Sequence, residues 1–256
     1  MTEQGTSERA AAAFYTRYAG LYDRIASEAP FAAGLRERVV DQLAPGRGDV
    51  VVEMGCGTGA NFSALRECVG SEGTVIGIDV SGGVIERARA RIERAGWENV
   101  HVARGDATRP PLAFADLARS VAPAGEVDAV VSTFVTGMLD DPAGAVDDWC
   151  RLVGEGGRVC VAGFARSTSP AGRLLNPAFA AAVRLGTPPG RGRGRPESPV
   201  ELLDRRAVAA HRRVHERCPD ARTTRSLAGF ARVSAGTVGD PGENAVDDDA
   251  DARQFM

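Results

Sequence analysis

The segment best suited to chemistry is a glycine-rich turn that follows a short apolar run. Residues 50–61 read VVVEMGCGTGAN, so Glu53 stands directly before glycines at positions 55, 57 and 59. An apolar run of this length is typical of a strand buried on both faces. Glycines after such a strand let the backbone turn sharply and let a ligand approach without a Cβ in the way. The pattern predicts a small-molecule pocket at the end of this strand, with a carboxylate beside it.

The glycine spacing distinguishes two classes of ligand. Dinucleotide-binding domains carry G-x-G-x-x-G and place a pyrophosphate at a helix N-terminus, whereas this motif is G-x-G-x-G. S-adenosylmethionine (SAM) has no phosphate and carries a zwitterionic amino-acid tail beside its sulfonium. The carboxylate of Glu53 suits the ammonium of that tail, directly or through water. A nicotinamide- or flavin-binding domain is the nearest alternative, and both the spacing and the absence of any lysine, hence of a Tyr-x-x-x-Lys pair, argue against it.

Two further carboxylates follow the next two predicted strands. Asp79 ends the run IGID and lies roughly 20 residues beyond the glycines, the usual offset of an acid that accepts hydrogen bonds from ribose hydroxyls. Asp106, in the string GDA, can accept a hydrogen bond from an adenine amino group, although a helix cap is an alternative role for it. Three acids at the ends of three successive strands favour an adenosine-containing ligand.

Apolar runs and helix-like segments alternate along the middle of the chain. Strands are predicted at 50–52, 74–78, 100–103, 127–132 and 158–162. Helices are predicted at 7–26, 31–44, 83–95, 142–152, 171–185 and 199–217, and one or two β segments at 223–236. The alternation predicts βαβ units and a parallel sheet covered by helices.

These strings together resemble a known enzyme family. VVEMGCGTGANF, GIDVS and ARGDAT resemble the class I SAM-dependent methyltransferases of type 11 and type 25, and VDAVVSTF and LVGEGGRVCV resemble their fourth and fifth strands. The likeness covers about residues 45–165. It implies an α/β fold, a Rossmann-like doubly wound seven-stranded sheet of order 3-2-1-4-5-7-6 with the last strand antiparallel, and N-terminal helices. It also implies SAM as cofactor and an activity of class EC 2.1.1.-.

The resemblance implies a set of cofactor-binding residues at or just beyond the ends of the first four strands. They are Glu53, Gly55, Cys56, Gly57, Asn61, Asp79, Val80, Asp106, Ala107 and Thr133. Residues 133–136 would line the site of methyl transfer. No catalytic base follows from the sequence, since His101 falls within a strand and the other two histidines lie in the divergent C-terminal third.

His211, His215 and Cys218 share one face of a predicted helix at i, i+4 and i+7. A single helix supplies too few ligands for a metal site, so no metal is expected and the three are interpreted as solvated helix residues. The five cysteines form no C-x-x-C pair and are interpreted as reduced thiols.

The chain is expected to divide into four segments. These are an N-terminal helical lid (1–44), a SAM-binding core (45–165), a region of acceptor-site helices and last strands (166–240) and a disordered acidic tail (241–256). Tyr15, Tyr18 and Tyr22 follow helical spacing and form either a lid over the pocket or a packing stripe.

Residues 18–25, YAGLYDRI, resemble the Y-x-x-x-Y-D signature of quinone- and phospholipid-modifying methyltransferases. The expected acceptor is therefore a small molecule, with a lipid or quinone-like compound as the candidate. The alternatives are an RNA or protein methyltransferase and a SAM-binding protein without turnover. The net charge of −3 argues against nucleic acid, and the run Arg191–Arg195 is interpreted as a solvated loop.

The sequence contains no apolar run near the ~20 residues that a membrane-spanning helix needs. Its N-terminus also lacks a signal-peptide pattern, so a cytoplasmic location is expected. Nothing in the sequence indicates an oligomeric state.

Overall fold

The computed structural model describes residues 30–108, 126–186 and 198–240, and seven strands within them form one sheet. The strands are β1 (Val50–Met54), β2 (Thr74–Asp79), β3 (Val100–Arg104), β4 (Ala129–Thr133), β5 (Arg158–Phe164), β6 (Arg222–Ser226) and β7 (Ala231–Thr237). Their order is β3-β2-β1-β4-β5-β7-β6. β1 is parallel to β2 and β4, and β7 is antiparallel to both β5 and β6. The predicted Rossmann-like sheet and its order are confirmed.

The helices described are α1 (Pro30–Leu43), α2 (Phe62–Val69), α3 (Gly82–Ala95), α4 (Pro142–Val153), α5 (Pro170–Arg173), α6 (Asn176–Gly186) and α7 (Pro199–Arg217). Local sequence sets their ends. α3 stops at Gly96, whose left-handed φ of 65° closes the last turn. α4 begins at a proline in its first turn, with the Asp141 carboxylate accepting from Gly144 N.

The single helix predicted at 171–185 is wrong, because the chain breaks there into α5 and α6. The Asn176 side chain bonds back to Ser167, accepting from its N–H at 3.0 Å and donating to its carbonyl at 3.0 Å. Pro177 also disfavours helical geometry at the residue before it. The two short helices are therefore separated by a bend at which the first side chain of α6 bonds to backbone groups outside both helices.

The chain divides into two compact units, Met1–Ser132 and Thr133–Met256. In the first, every side chain of β1 is buried, as are those of β2 up to Ile78. α2 and α3 each place an apolar face inward, led by Phe62, Leu65 and Ile85. Burial of a large apolar side chain contributes about 1.5–3 kcal/mol, so this core is the main stabilising term of the unit.

In the second unit, α7 packs against α4, β5 and β7. Trp149 and Val214 are fully buried at this packing. Asp147 is a buried carboxylate at the margin of α4, and it accepts two hydrogen bonds from Arg213, at 2.9 and 2.6 Å, and one from Arg217, at 2.9 Å. The contact between α4 and α7 therefore combines an apolar centre with a charged margin.

Within residues 30–108, 126–186 and 198–240, no helix has the length and apolarity to cross a membrane. The predicted helix at 7–26 with its three tyrosines, the run Arg191–Arg195 and the acidic tail lie outside the described residues.

Candidate functional site

The glycine-rich turn is held against the end of β2 by its own backbone. Gly55 N and Cys56 N both donate to the carbonyl of Ile78, at 2.8 and 2.9 Å. Gly55, Gly57 and Gly59 have φ values of 72°, 54° and 75°, a region that side chains with a Cβ rarely adopt. The predicted turn therefore requires glycine for its geometry as well as for space.

Gly57 and Gly59 face different surroundings. A Cβ built on Gly57 would meet no atom within 4 Å among the described residues, whereas one on Gly59 would lie 2.4 Å from the ring of Phe62. Gly59 is thus required by packing. Gly57 leaves open space that a ligand can enter.

Glu53 is an acid at the end of a fully buried strand and is only 1% exposed. Its Oε1 accepts a hydrogen bond from Asn61 Nδ2 at 2.5 Å. Asn61, also buried, stands immediately before α2, so the turn returns to the strand that precedes it. The structure brings these two predicted site residues into direct contact.

Asp79 links the second strand to the turn. Its Oδ2 accepts from Gly57 N at 3.0 Å, and its Oδ1 accepts from Ser81 N at 2.8 Å. Burial raises the pKa of Asp79, while the two N–H groups act in the opposite direction by stabilising the carboxylate. Each oxygen keeps a lone pair that can accept from a ligand hydroxyl.

The remaining predicted residues of the first unit lie close along the same edge. Gly105 N donates to the carbonyl of Asp79 at 3.0 Å, which sets the end of β3 beside the end of β2. Val80 is 50% exposed, an apolar surface directly after the Asp79 carboxylate. Asp106 is exposed and turns to Thr108, accepting from its N–H at 2.8 Å and its hydroxyl at 2.7 Å, while Ala107 is buried.

Sequence reasoning missed Gly77, which lies inside β2. A Cβ there would fall 2.5 Å from Phe62 Cζ and 2.7 Å from Cys56 Sγ. The missing side chain gives Cys56 room to turn inward, where burial, and then the charges of Glu53 and Asp79, raise the pKa of its thiol. A glycine between two isoleucines of a predicted strand was the available signal.

In the second unit, Thr133 ends β4 and is half-buried. Phe134 follows it with a φ of 62°, which is unusual for a bulky residue and stores strain. Its N–H donates to Ala162 O at 2.8 Å, and its ring stacks on Phe164 with centroids 4.6 Å apart. The predicted transfer segment 133–136 therefore has a constrained aromatic residue directly after Thr133.

The interpretation of His211, His215 and Cys218 as solvated residues is wrong. His211 is 0% exposed and Cys218 is also buried, because this face of α7 packs on the sheet. His211 Nδ1 bonds Ser234 Oγ at 2.8 Å, and His215 Nε2 bonds Thr223 Oγ1 at 2.8 Å. In the part of the chain that the structure describes, no group of three His, Cys, Asp or Glu side chains is arranged to hold a metal ion.

The edge formed by the ends of β1, β2 and β3 has the chemistry of an adenosyl amino-acid site. One buried carboxylate, Glu53, can face an ammonium group. A second, Asp79, can accept from a pair of hydroxyls, and the space over Gly57 admits the ligand between them. The donor set present in the chain therefore fits SAM.

Comparison with known proteins supports the same interpretation. Residues 51–157 match the family model described as "Methyltransferase domain". The chain is 33% identical over 138 residues to aklanonic acid methyltransferase DauC of Streptomyces sp. (strain C5), covering 54% of this chain and 57% of that protein. It is 32% identical over 125 residues to phosphatidylethanolamine N-methyltransferase of Cereibacter sphaeroides, covering 48% and 55%. The chain thus spans about half the length of the curated relatives it matches.

Among solved structures, the fold is similar to that of geranyl diphosphate methyltransferase in complex with GPP and sinefungin. The TM-score is 0.51 at 16% sequence identity, and the match covers 80% of this chain and 77% of that chain. At this identity the likeness concerns the fold alone.

Proposed function

The chain belongs to the class I SAM-dependent methyltransferases, and we propose that it transfers the methyl group of SAM to a small organic acceptor, with a lipid or quinone-like compound as the candidate. The observation that carries the proposal is the bond from Gly57 N to Asp79 beneath the open space over Gly57. This hydrogen bond fixes the glycine-rich turn to the end of β2, directly beside the space that a ligand can enter.

Each predicted site residue has a distinct role in holding SAM. Glu53, oriented by Asn61, faces the ammonium of the amino-acid tail, and Asp79 accepts from the ribose hydroxyls. Val80 offers apolar surface to the adenine ring. Asp106 and Ala107 lie beside the amino group of the adenine. Gly55, Cys56 and Gly57 form the turn over which the tail lies, and Thr133 begins the transfer segment.

Bound SAM supplies a methyl group activated by its sulfonium, so the protein's part is to position the acceptor and exclude water. The buried ends of β1 and β2 support this role, because their carboxylates are already oriented by hydrogen bonds within the fold. Such preorganised groups need little rearrangement when the ligand binds.

The named relatives support a small-molecule acceptor. One is named for aklanonic acid and another for phosphatidylethanolamine, an organic acid and a lipid. The quinone- and phospholipid-type signature at residues 18–25 agrees with the second, and residues 1–44 would form the lid above the core at 45–165. Acceptor contacts would come from residues 166–240.

The cofactor claim is tested by isothermal titration calorimetry with SAM and S-adenosylhomocysteine. Gly57→Arg and Gly57→Ala form a matched pair, because both carry the left-handed strain of about 1–2 kcal/mol and only arginine fills the ligand space. We expect alanine to weaken binding no more than about tenfold and arginine to weaken it at least 100-fold. Equal binding by the two variants, or no binding by the wild type, would contradict the proposal.

The acceptor claim is tested with tritiated SAM and two pools, a total lipid extract and a polar metabolite extract. We expect labelled product in the lipid pool, lost in Gly57→Arg. Label confined to the polar pool, or to added RNA or protein, would replace the lipid with that acceptor class. SAM binding without product from any pool would favour the non-catalytic alternative.

A further inference from the structure

Four polar side chains of the second unit form a continuous hydrogen-bonded chain. His211 Nδ1 bonds Ser234 Oγ at 2.8 Å, Ser234 Oγ bonds Thr223 Oγ1 at 2.5 Å, and Thr223 Oγ1 bonds His215 Nε2 at 2.8 Å. His211 and Ser234 are fully buried, whereas Thr223 and His215 are half-buried. The chain therefore leads from the interior towards solvent and has an imidazole at each end.

The buried end of this chain faces a space beside Gly163, the penultimate residue of β5. A Cβ on Gly163 would lie 3.8 Å from Thr136 Oγ1 and 3.9 Å from His211 Nε2. Both atoms are buried, and neither has a hydrogen-bond partner among the residues described. An unsatisfied buried polar atom costs about 1–3 kcal/mol, so two of them facing one space indicate a site for a hydrogen-bonding ligand group.

A buried cation lies at the same position of the sheet. Arg232 is paired directly with Gly163 in the register of β5 and β7, so its side chain leaves the same face. It is 3% exposed. Its Nη2 donates to Arg166 O at 3.2 Å, while its Nε and Nη1 have no partner in the described part of the chain. A guanidinium here favours the ionised form of a hydroxyl bound beside it.

Burial, together with nearby positive charges, keeps the ring of His211 neutral. Burial above all, and then Arg232 on β7, His215 on the same helix and Arg225 on β6, lower the pKa of His211 to about 3. The carboxylate of Asp147 on α4 is already paired with two α7 arginines. A proton arriving at Nε2 must therefore be matched by one leaving from Nδ1.

We propose that Thr136 and His211 bind the hydroxyl of the methyl acceptor, and that His211, Ser234, Thr223 and His215 form a proton relay to the surface. This inference rests on the proposed function. As the oxygen–methyl bond forms and the sulfur–methyl bond breaks, the hydroxyl proton moves to His211 Nε2. The Nδ1 proton moves to Ser234, the serine proton to Thr223 and the threonine proton to His215 Nε2. His215 becomes an imidazolium and gives its proton to water, and the acceptor atom is oxygen.

The relay makes a prediction that needs no acceptor. When His215 is neutral, its Nε2 accepts from Thr223, and the hydroxyls orient so that His211 carries its proton on Nδ1 and leaves Nε2 bare. When His215 is protonated, the orientation reverses and His211 carries its proton on Nε2. The tautomer of one histidine therefore changes as the other titrates.

The test is long-range ¹H–¹⁵N NMR of the full chain labelled at histidine, which has only three such residues. We expect the His211 tautomer to switch as pH falls through the titration of His215. Thr223→Ala should abolish the switch, whereas Thr224→Ala, its neighbour in β6 outside the relay, should leave it intact. A single His211 tautomer across this range in the wild type would overturn the relay.

Turnover supplies a second readout. With the tritium assay and lipid extract, we expect His211→Gln to lower kcat about 100-fold, as loss of general acid–base catalysis does, with S-adenosylhomocysteine affinity within about twofold. Added imidazole should restore part of the activity of His211→Ala. Turnover of His211→Gln within about twofold of wild type would contradict the inference. Absence of SAM binding in the wild type would instead contradict the proposed function, and the NMR result would still decide the relay.

Discussion

Each unit contains a carboxylate that is partly or fully shielded from solvent, and the two are stabilised in different ways. In the first unit, Asp79 accepts from two backbone N–H groups, those of Gly57 and Ser81. In the second, Asp147 accepts from the guanidinium groups of Arg213 and Arg217, which lie 66 and 70 residues away along the chain. The first arrangement uses backbone groups of the turns that follow β1 and β2, two neighbouring strands of the sheet. The second exists only after two distant helices have packed.

This difference separates what local sequence can specify from what tertiary structure must supply. A carboxylate held by backbone N–H groups keeps its partners when neighbouring side chains change, since every residue except proline has one. A carboxylate held by arginines loses one of its partners whenever one of those arginines is substituted. We therefore expect side-chain substitutions at polar sites to affect stability more in the second unit than in the first.

The largest expected effect is that of Asp147→Ala. The substitution leaves two guanidinium groups of a partly buried contact without their carboxylate, and we expect a loss of about 3 kcal/mol in the free energy of unfolding. Urea denaturation followed by circular dichroism measures it. Asp148→Ala, at the exposed neighbour that pairs with Arg151, is the matched control and should cost less than about 1 kcal/mol. Equal losses for the two variants would remove the contrast between buried and exposed pairs.

The next effect concerns pH and His211. Because the pKa of His211 is lowered to about 3 in the folded chain, the unfolded chain binds a proton first as pH falls below about 6.5. The stability contributed by the neutral ring is therefore present at high pH and lost towards low pH, by about 2 kcal/mol between pH 7 and pH 5. Urea denaturation at pH 7 and at pH 5 measures this change. Between the two pH values, the free energy of unfolding of the wild type should fall by about 2 kcal/mol more than that of His211→Gln. Parallel pH profiles would show that His211 binds its proton equally in the folded and the unfolded chain, contrary to a lowered pKa.

The smallest expected effect is in the first unit, at Asn99. This half-buried side chain donates to the carbonyls of Gly70 and Gly73 and accepts from Arg66, at the amino end of β2 and away from the site. We expect Asn99→Ala to lower the free energy of unfolding by about 1.5 kcal/mol while S-adenosylhomocysteine binding is unchanged. Asn99→Asp, which keeps only the bond from Arg66, is the comparison variant. A larger loss than that of Asp147→Ala would reverse the contrast between the units.

The strands, helices and glycine-rich turn of the first unit could be predicted closely because short stretches of sequence specify them. The strand before the glycines, the offset to Asp79 and the helix ends follow from periodicity and turn chemistry, and the order of all seven strands followed from family resemblance. The contact between Glu53 and Asn61 joins two residues of the same motif. Gly77 was missed because its constraint comes from Phe62 across the packing of β2 on α2.

The second unit was harder to predict because its polar groups are arranged by tertiary contacts. Spacing along α7 shows that His211 and His215 share a face, but not that the face packs on β7. The partners Ser234 and Thr223 lie on two strands that only the folded sheet brings together. The same reason explains the break at Asn176, which depends on Ser167.

The ring of Phe62 occupies the room that Gly59 and Gly77 both leave free, with each absent Cβ about 2.5 Å from it. Substitutions at these three positions are therefore not independent, and their energetic effects should be strongly non-additive. Alanine at 77 requires a smaller residue at 62 and also a shift of Cys56, whose Sγ lies 2.7 Å from the same Cβ position. In evolution or design, the three positions change as one set or remain as they are.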